Sequence, residues 1–334
     1  MSIAIRSFAK INLGLKIGAP RADGFHELRT IYQTIALHDV VQVEVAAGDG
    51  IEIRCDDPRV PSDATNTCYK IAERVLRSAG RSNRIIITIE KQLPVQGGMG
   101  AASSNAVATV FALERALGMS LTEPEKHRIA AEVGSDLNLF LIGGTVLGVD
   151  RGQEVLALQD LPEIPLVVVT PPVGVSTPKA FARWDAMLAA ERALTAPTGT
   201  GTMKMFDQAE FPWLNDSYLS RARPAEVPAS GVPALGGDRA ETPLLDLVRT
   251  GIENDFERVV FPEYPELREV KSVLQREGAR FASLSGSGST LYGLFDSASG
   301  AEAAAERMHA AGHAAVATRT VTRDEYWKAV ASSL

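Results

Sequence analysis

The chain has 334 residues, 45% apolar and 22% charged, with 34 Lys plus Arg against 41 Asp plus Glu for a formal net charge of −7. Its length predicts about two domains. The composition excludes a disordered chain, the absence of roughly 18 uninterrupted apolar residues excludes a membrane-spanning helix, and the acidic balance disfavours a partner bound by phosphate neutralisation, such as nucleic acid.

Ile3 to Phe8 alternates as a strand and runs into Lys10-Ile11-Asn12-Leu13, while Val40 to Val45 and Ile51 to Arg54 are short period-two stretches around Gly48-Asp49-Gly50. These read as antiparallel strands. Asn66 is placed to cap a helix carrying Ile71, Val75 and Leu76 on one face and ending at Gly80. Arg84 to Glu90 follows as a strand, then the glycine-rich run 94–106, PVQGGMGAASSNA, and the helical pattern VATVFALERALG. Thr122-Glu-Pro-Glu125 reads as a capping box for a helix that stops at Gly134.

The second half opens on the buried strand Pro165 to Thr170. From about Ala189 to Thr242 the composition turns to Ala, Pro, Gly and Thr and reads as loop, with FDQAEFPWLNDSY as a segment that docks. A helix over Pro265 to Arg276, the turn Ser285-Gly-Ser-Gly288-Ser-Thr290, the strand LYGLF, a final helix over about Ala298 to Ala311 and the strand AAVATRTV complete a small α+β unit. Cys55 and Cys68 are the only cysteines and read as reduced thiols in packing positions. The N-terminus lacks a basic region followed by an apolar run and a small-residue cleavage site, so the expected address is cytoplasmic.

The glycine-rich run has the most constrained chemistry. Gly97, Gly98 and Gly100 allow positive φ, so amide N–H groups can converge on a phosphate at the positive end of the next helix. The hydroxyls of Ser103 and Ser104 can reach a phosphate oxygen or its Mg²⁺. The competing reading is a tight strand-to-helix turn with a serine cap. Lys10, in the apolar context FAKINLGL, is either an edge residue with a solvated head or a cation aimed into a cleft. Asp136 is either a helix cap or the acceptor of a hydroxyl proton in phosphoryl transfer. His309 and His313 read as a solvated helix end rather than a metal site, and His38 and His127 as surface or rim residues.

Taken together, FAKINLGLKI, PVQGGMGAASSNA and LSGSGSTLYGLF resemble the three motifs of the GHMP kinases. RADGFHELRTIYQTIALHD, VGSDLNLFLIGGTVLG and NDFE resemble one branch of them along most of the chain, with RADGFHEL the discriminating segment. The resemblance implies an α+β, two-domain GHMP kinase fold: a ribosomal protein S5 domain 2-like N-terminal domain over residues 1–160 and a ferredoxin-like C-terminal domain over 161–334, with an insertion at about 189–242. It implies ATP with Mg²⁺, a small-molecule substrate, no nucleic acid, no membrane, and a monomer or homodimer. The reaction implied is transfer to the 2-hydroxyl of a cytidine-diphosphate-linked methylerythritol, on the non-mevalonate route to isoprenoids. The alternatives are a homoserine- or mevalonate-type kinase and a non-catalytic nucleotide-binding regulator.

Carried over by position, the resemblance makes Lys10 and Asp136 catalytic. It gives ATP to Asn66, Pro94, Val95, Gln96, Gly97, Gly98, Met99, Gly100, Ala101, Ala102, Ser103 and Ser104, with the two serines as Mg²⁺ ligands. Substrate falls to Asn12, Phe25, His26, Tyr32, Phe181, Ser285, Gly286 and Gly288, with Phe25, Tyr32 and Phe181 sandwiching the pyrimidine and His26 meeting its edge. Asn66 has a competing role as a plain N-cap. Departures from the family pattern are Gln96, Met99, Ala101 and Ala102 in the loop, where the two alanines are expected to keep ordinary φ, and Asn138 where proline is common.

Overall fold

Residues 2–95, 97–195 and 252–332 are described by the structure, a computed structural model. The alternating N-terminal segments build one long hairpin. β1 (Ser2–Pro20) pairs antiparallel with β2 (His26–Ala46), and register shifts at Phe8/Ala9 and Asn12/Gly14 let the strands bend through the non-alternating FAKINLGL. β3 (Gly50–Cys55) and β4 (Arg84–Glu90) pair with each other in parallel, which corrects the expectation of an antiparallel β3. β5 (Thr145–Val149) and β6 (Glu154–Ala157) extend the other side, giving the order β3-β4-β2-β5-β6 with β1 paired to β2.

Against this six-stranded sheet lie α1 (Thr67–Ser78), α2 (Ala101–Ala116), α3 (Glu123–Val133) and the short α4 (Leu137–Phe140). α1 is strongly amphipathic and buries Ile71, Val75 and Leu76. The Thr122–Glu125 capping box of α3 is present. α2 begins at Ala101 behind Gly100, with no side-chain cap, so Ser103 and Ser104 lie within its first turn rather than capping it.

A second sheet is antiparallel throughout. Its strands β7 (Pro165–Val169), β8 (Phe281–Leu284), β9 (Leu291–Leu294) and β10 (Ala315–Arg319) lie in the order β10-β7-β9-β8. Its helices are α5 (Thr177–Thr195), α6 (Glu257–Glu263), α7 (Pro265–Arg276) and α8 (Ala298–Ala310). Ala189 to Thr195, expected as loop, continues α5. The remaining expected loop, with FDQAEFPWLNDSY, and Gln96 lie outside the described residues.

A buried cluster including Ile11, Leu13, Ile31, Met99, Val168 and Tyr292 joins the two sheets. The Tyr292 hydroxyl donates to the carbonyls of Asn12 at 2.9 Å and Leu13 at 3.3 Å. The helix over Ala298–Ala310 is not the last. α9 (Arg323–Ala331) follows β10 and returns to the first sheet's core, where Tyr326 Oη donates to Phe140 O and Trp327 Nε1 to Ile142 O.

Candidate active site

Strand geometry puts alternate side chains on one face, and in β1 that pairs Lys10 with Asn12. Both are 2% exposed. Lys10 Nζ donates to Asn12 Oδ1 at 2.6 Å and forms an ion pair with Asp136 Oδ2 at 3.6 Å, too long for a hydrogen bond. The amide of Asn12 is in turn fixed, since its Nδ2 donates to Thr30 Oγ1 at 2.7 Å and Thr30 Oγ1 donates to Gly14 O at 2.7 Å. Asp136 stands just before α4 and is far more open than Lys10, with its side chain 34% exposed. Its other oxygen accepts from Tyr32 Oη at 3.2 Å.

Burial pushes the Lys10 amine below its ordinary value, with the Asp136 carboxylate pulling it back part of the way. Burial, reinforced by Asp136, pushes the Tyr32 phenol well above its own. Tyr32 thus stays a neutral donor.

The glycine-rich run crosses directly over this group. The Lys10 amide N–H donates to Met99 O at 3.0 Å. Gly100 has φ +69°, and a Cβ there would stand 3.0 Å from the Phe140 ring and 3.2 Å from Lys10 Cγ. Gly98, at φ +84°, has even less room, since its Cβ would meet Ser285 O at 2.1 Å. Asp150 is the only non-glycine residue with positive φ among the described residues, so Ala101 and Ala102 keep the ordinary φ expected of them.

A cavity of ≈360 Å³ opens beside the run, lined by residues 94, 95 and 97–103 together with Asn66 and Cys68. The exposed N–H groups of the first turn of α2 and its positive end suit an anion there. Asn66 lines this cavity with its amide already engaged: Oδ1 caps α1 by accepting from Cys68 N at 2.8 Å, and Nδ2 donates to Pro61 O at 2.6 Å.

The two serines part company. Ser103 is half-buried on the cavity wall. Ser104 is 2% exposed, and its Oγ lies 2.8 Å from Ser7 Oγ on β1, so it faces the protein and not a phosphate, which corrects its assignment. Mg²⁺ takes hard oxygens, keeps several waters and draws on substrate phosphates. The Ser103 hydroxyl fits that donor set. Among the described residues no group of three His, Cys, Asp or Glu is placed to hold a metal on its own.

The residues carried over for the pyrimidine are not brought together as a sandwich. Tyr32 is buried and turned to Asp136. Phe25 is 52% exposed, with the Arg151 guanidinium 4.9 Å from its ring centre. Phe181 stacks on His26, with centroids 4.9 Å apart and planes 12° apart, and meets Phe256 edge-on. Ser285, expected on the substrate, is fully buried. It donates to Gly98 O at 3.0 Å and accepts from Asn12 N at 3.3 Å, so it clamps the loop. Gly286 O accepts from Asn254 Nδ2 at 2.8 Å and Gly288 N donates to Ser285 O at 3.1 Å, so both shape that turn.

Sequence reasoning missed Asp39. Fully buried, it accepts from Lys91 Nζ, Gln92 N, Leu93 N and Asn105 Nδ2 at 2.6 to 3.0 Å, and so anchors both ends of the glycine-rich run. Its signal was an acid inside the apolar alternation of ALHDVVQV. Among the described residues no helix is long and apolar enough to cross a membrane.

The family model of the GHMP kinases N-terminal domain matches residues 66–144, and that of the GHMP kinases C-terminal region matches 241–314. With the two-sheet fold and the glycine-rich run over Lys10, they define the chain as a GHMP kinase. The chain is 32% identical over 318 residues to the 4-diphosphocytidyl-2-C-methyl-D-erythritol kinase of Acaryochloris marina (strain MBIC 11017), covering 92% of this chain and 91% of that one. It is 35% identical over 291 residues to the enzyme of the same name from Solibacter usitatus (strain Ellin6076), covering 87% and 80%. It belongs to the 4-diphosphocytidyl-2-C-methyl-D-erythritol kinase family. A crystal structure of 4-(cytidine 5'-diphospho)-2C-methyl-D-erythritol kinase superposes with a TM-score of 0.67 at 25% identity, covering 95% of this chain and 99% of that one. Homoserine kinase from Cytophaga hutchinsonii shares the fold, with a TM-score of 0.66 at 20% identity.

Proposed function

We propose that this chain transfers the terminal phosphoryl group of ATP to the 2-hydroxyl of 4-diphosphocytidyl-2-C-methyl-D-erythritol, giving the 2-phosphate and ADP, with residues 1–160 and 161–334 as its two domains apart from α9, which packs in the core of the first. The observation that carries the reading is the buried Lys10 beside the more open Asp136, directly under the glycine-rich run. Phosphoryl transfer needs in-line positioning and charge stabilisation more than covalent chemistry from the protein. These residues supply both.

Asp136 accepts the hydroxyl proton at Oδ2, the oxygen facing Lys10, while Tyr32 holds Oδ1. Lys10 stands beside that carboxylate and meets the charge that grows on the transferring oxygens. Asn12, held by Thr30, presents its carbonyl to the ammonium and sets its direction. The backbone N–H groups at the start of α2 receive the nucleotide phosphates, with the Ser103 hydroxyl on the same cavity wall. Ser103, together with those phosphates, would hold Mg²⁺, which would neutralise part of their charge.

We place this activity in the cytoplasm, on small molecules only. The test is ADP release from ATP and Mg²⁺ with a panel of acceptors. Release that depends on the CDP-linked substrate, and is absent with homoserine or mevalonate, supports the reading. Release with homoserine or mevalonate instead, or with no acceptor in the panel, overturns it.

A further inference from the structure

Helix α5 grips one imidazole with two residues a single turn apart. Phe181 lies flat on the face of His26, and Asp185 Oδ1 stands 2.7 Å from its Nε2. Residues four apart share a helix face, so face and edge of the ring are held from one side. The ring itself is buried, 7% exposed. We infer that Asp185 is a positioning residue that fixes which nitrogen of His26 carries the proton, and that this makes His26 select cytosine over uracil. The inference rests on the function proposed above, because it assigns the base of the CDP-linked substrate to His26.

The chemistry follows from the donor and acceptor inventory. An ionised carboxylate only accepts, so Nε2 carries the hydrogen in that contact. In the neutral ring Nδ1 is then a bare acceptor. Among the described residues no side chain or backbone group bonds to Nδ1. Cytosine carries an amino donor where uracil carries a carbonyl acceptor, as thymine does. A bare Nδ1 pairs with the amino group and faces the carbonyl acceptor to acceptor. The opposite tautomer would reverse that preference. Phe181 packs flat on one face of the ring, which disfavours its turning, and the neighbouring Phe25 is exposed. Asp185 therefore sets the sign of the discrimination without touching the base.

The experiment is calorimetric binding of CMP and of UMP to the full chain, unmutated and as Asp185→Ala and Asp185→Asn, with nitrogen NMR of His26 in the unmutated protein. The unmutated chain is expected to prefer CMP, and Asp185→Ala to cut that preference by about tenfold, the scale of one hydrogen bond. Asp185→Asn, whose amide can donate to Nε2, is expected to cut it further. Turnover of the CDP-linked substrate should show the loss in KM with kcat unchanged. NMR should find the proton on Nε2 and Nδ1 bare. An unchanged CMP-to-UMP ratio, with both nucleotides weakened equally, would mean that Asp185 only holds α5 in place and would overturn the inference. A proton on Nδ1, or no CMP preference in the unmutated chain, would overturn it as well. Failure of the proposed reaction is separable: absent turnover combined with a collapsed ratio in Asp185→Ala rejects the substrate and keeps the tautomer lock.

Discussion

Ser285 donates its hydroxyl hydrogen to Gly98 O at 3.0 Å, and the Asn12 amide N–H donates to the same hydroxyl at 3.3 Å. One buried side chain from the second sheet thus fastens the glycine-rich run to the strand that carries Lys10. Ser285→Ala removes the partner of a part-buried carbonyl and of a buried N–H, so it should cost about 1–3 kcal/mol of stability. Chemical denaturation should show that loss, and KM for ATP should rise. Gly98→Ala should be worse, because its Cβ would overlap Ser285 O. A fluorescent-nucleotide titration that finds normal binding in Gly98→Ala would contradict the clamp.

Asp136→Asn keeps the shape and the Tyr32 contact but removes the proton acceptor. Turnover should fall by about 10²-fold or more, with ATP binding close to that of the unmutated chain. Single-turnover ADP formation measured beside equilibrium nucleotide binding separates the two. Unchanged turnover would remove Asp136 from the chemistry.

Lys10 gives the pH dependence a distinctive form. Burial lowers its pKa from 10.5, and the ammonium is the working form, so kcat/KM should fall as pH rises through the lowered value, before an exposed lysine would titrate. Stability runs the other way. Between the lowered value and 10.5 the unfolded chain binds more protons than the folded one, so this residue's contribution to stability increases with pH. Lys10→Arg, which stays charged, should abolish the alkaline limb at reduced activity. A limb at the ordinary lysine value in a pH series of kcat/KM would refute the burial argument.

The two thiols should react very differently. Burial pushes Cys68 up to about 12, while Cys55 is half-buried. At neutral pH Cys68 carries almost no thiolate, so iodoacetamide should label Cys55 first. Peptide mass spectrometry over time reads the order, and ATP should slow the Cys68 reaction further, since that residue lines the cavity proposed for the nucleotide.

Much of this was legible in the chain. Asn66, the Thr122–Glu125 box and Gly134 marked helix ends because caps are local chemistry. Arg84–Glu90 and Pro265–Arg276 followed from periodicity. What stayed hidden depends on tertiary context. The full length of β1 was masked because its bulges break the alternation. β8 is four residues between an arginine and a serine-glycine turn, too short for a period. α5 and α9 were passed over, the first because its end merges into the Ala- and Pro-rich composition. Ser104, Tyr32 and Ser285 were each in a motif, yet the direction each faces is set by a helix start, a pair of strands or a distant loop.

The return of α9 to the first sheet orders events in time. Tyr326 packs over Gly143, so closely that a Cβ there would fall 2.4 Å from its ring, and it closes the core that α2 and α4 began. The core begun by the first half of the chain is therefore finished by a helix that follows the whole second sheet in sequence. A nascent chain stopped after β10 should hold its first core ajar, with the carbonyls of Phe140 and Ile142 waiting for Tyr326 and Trp327.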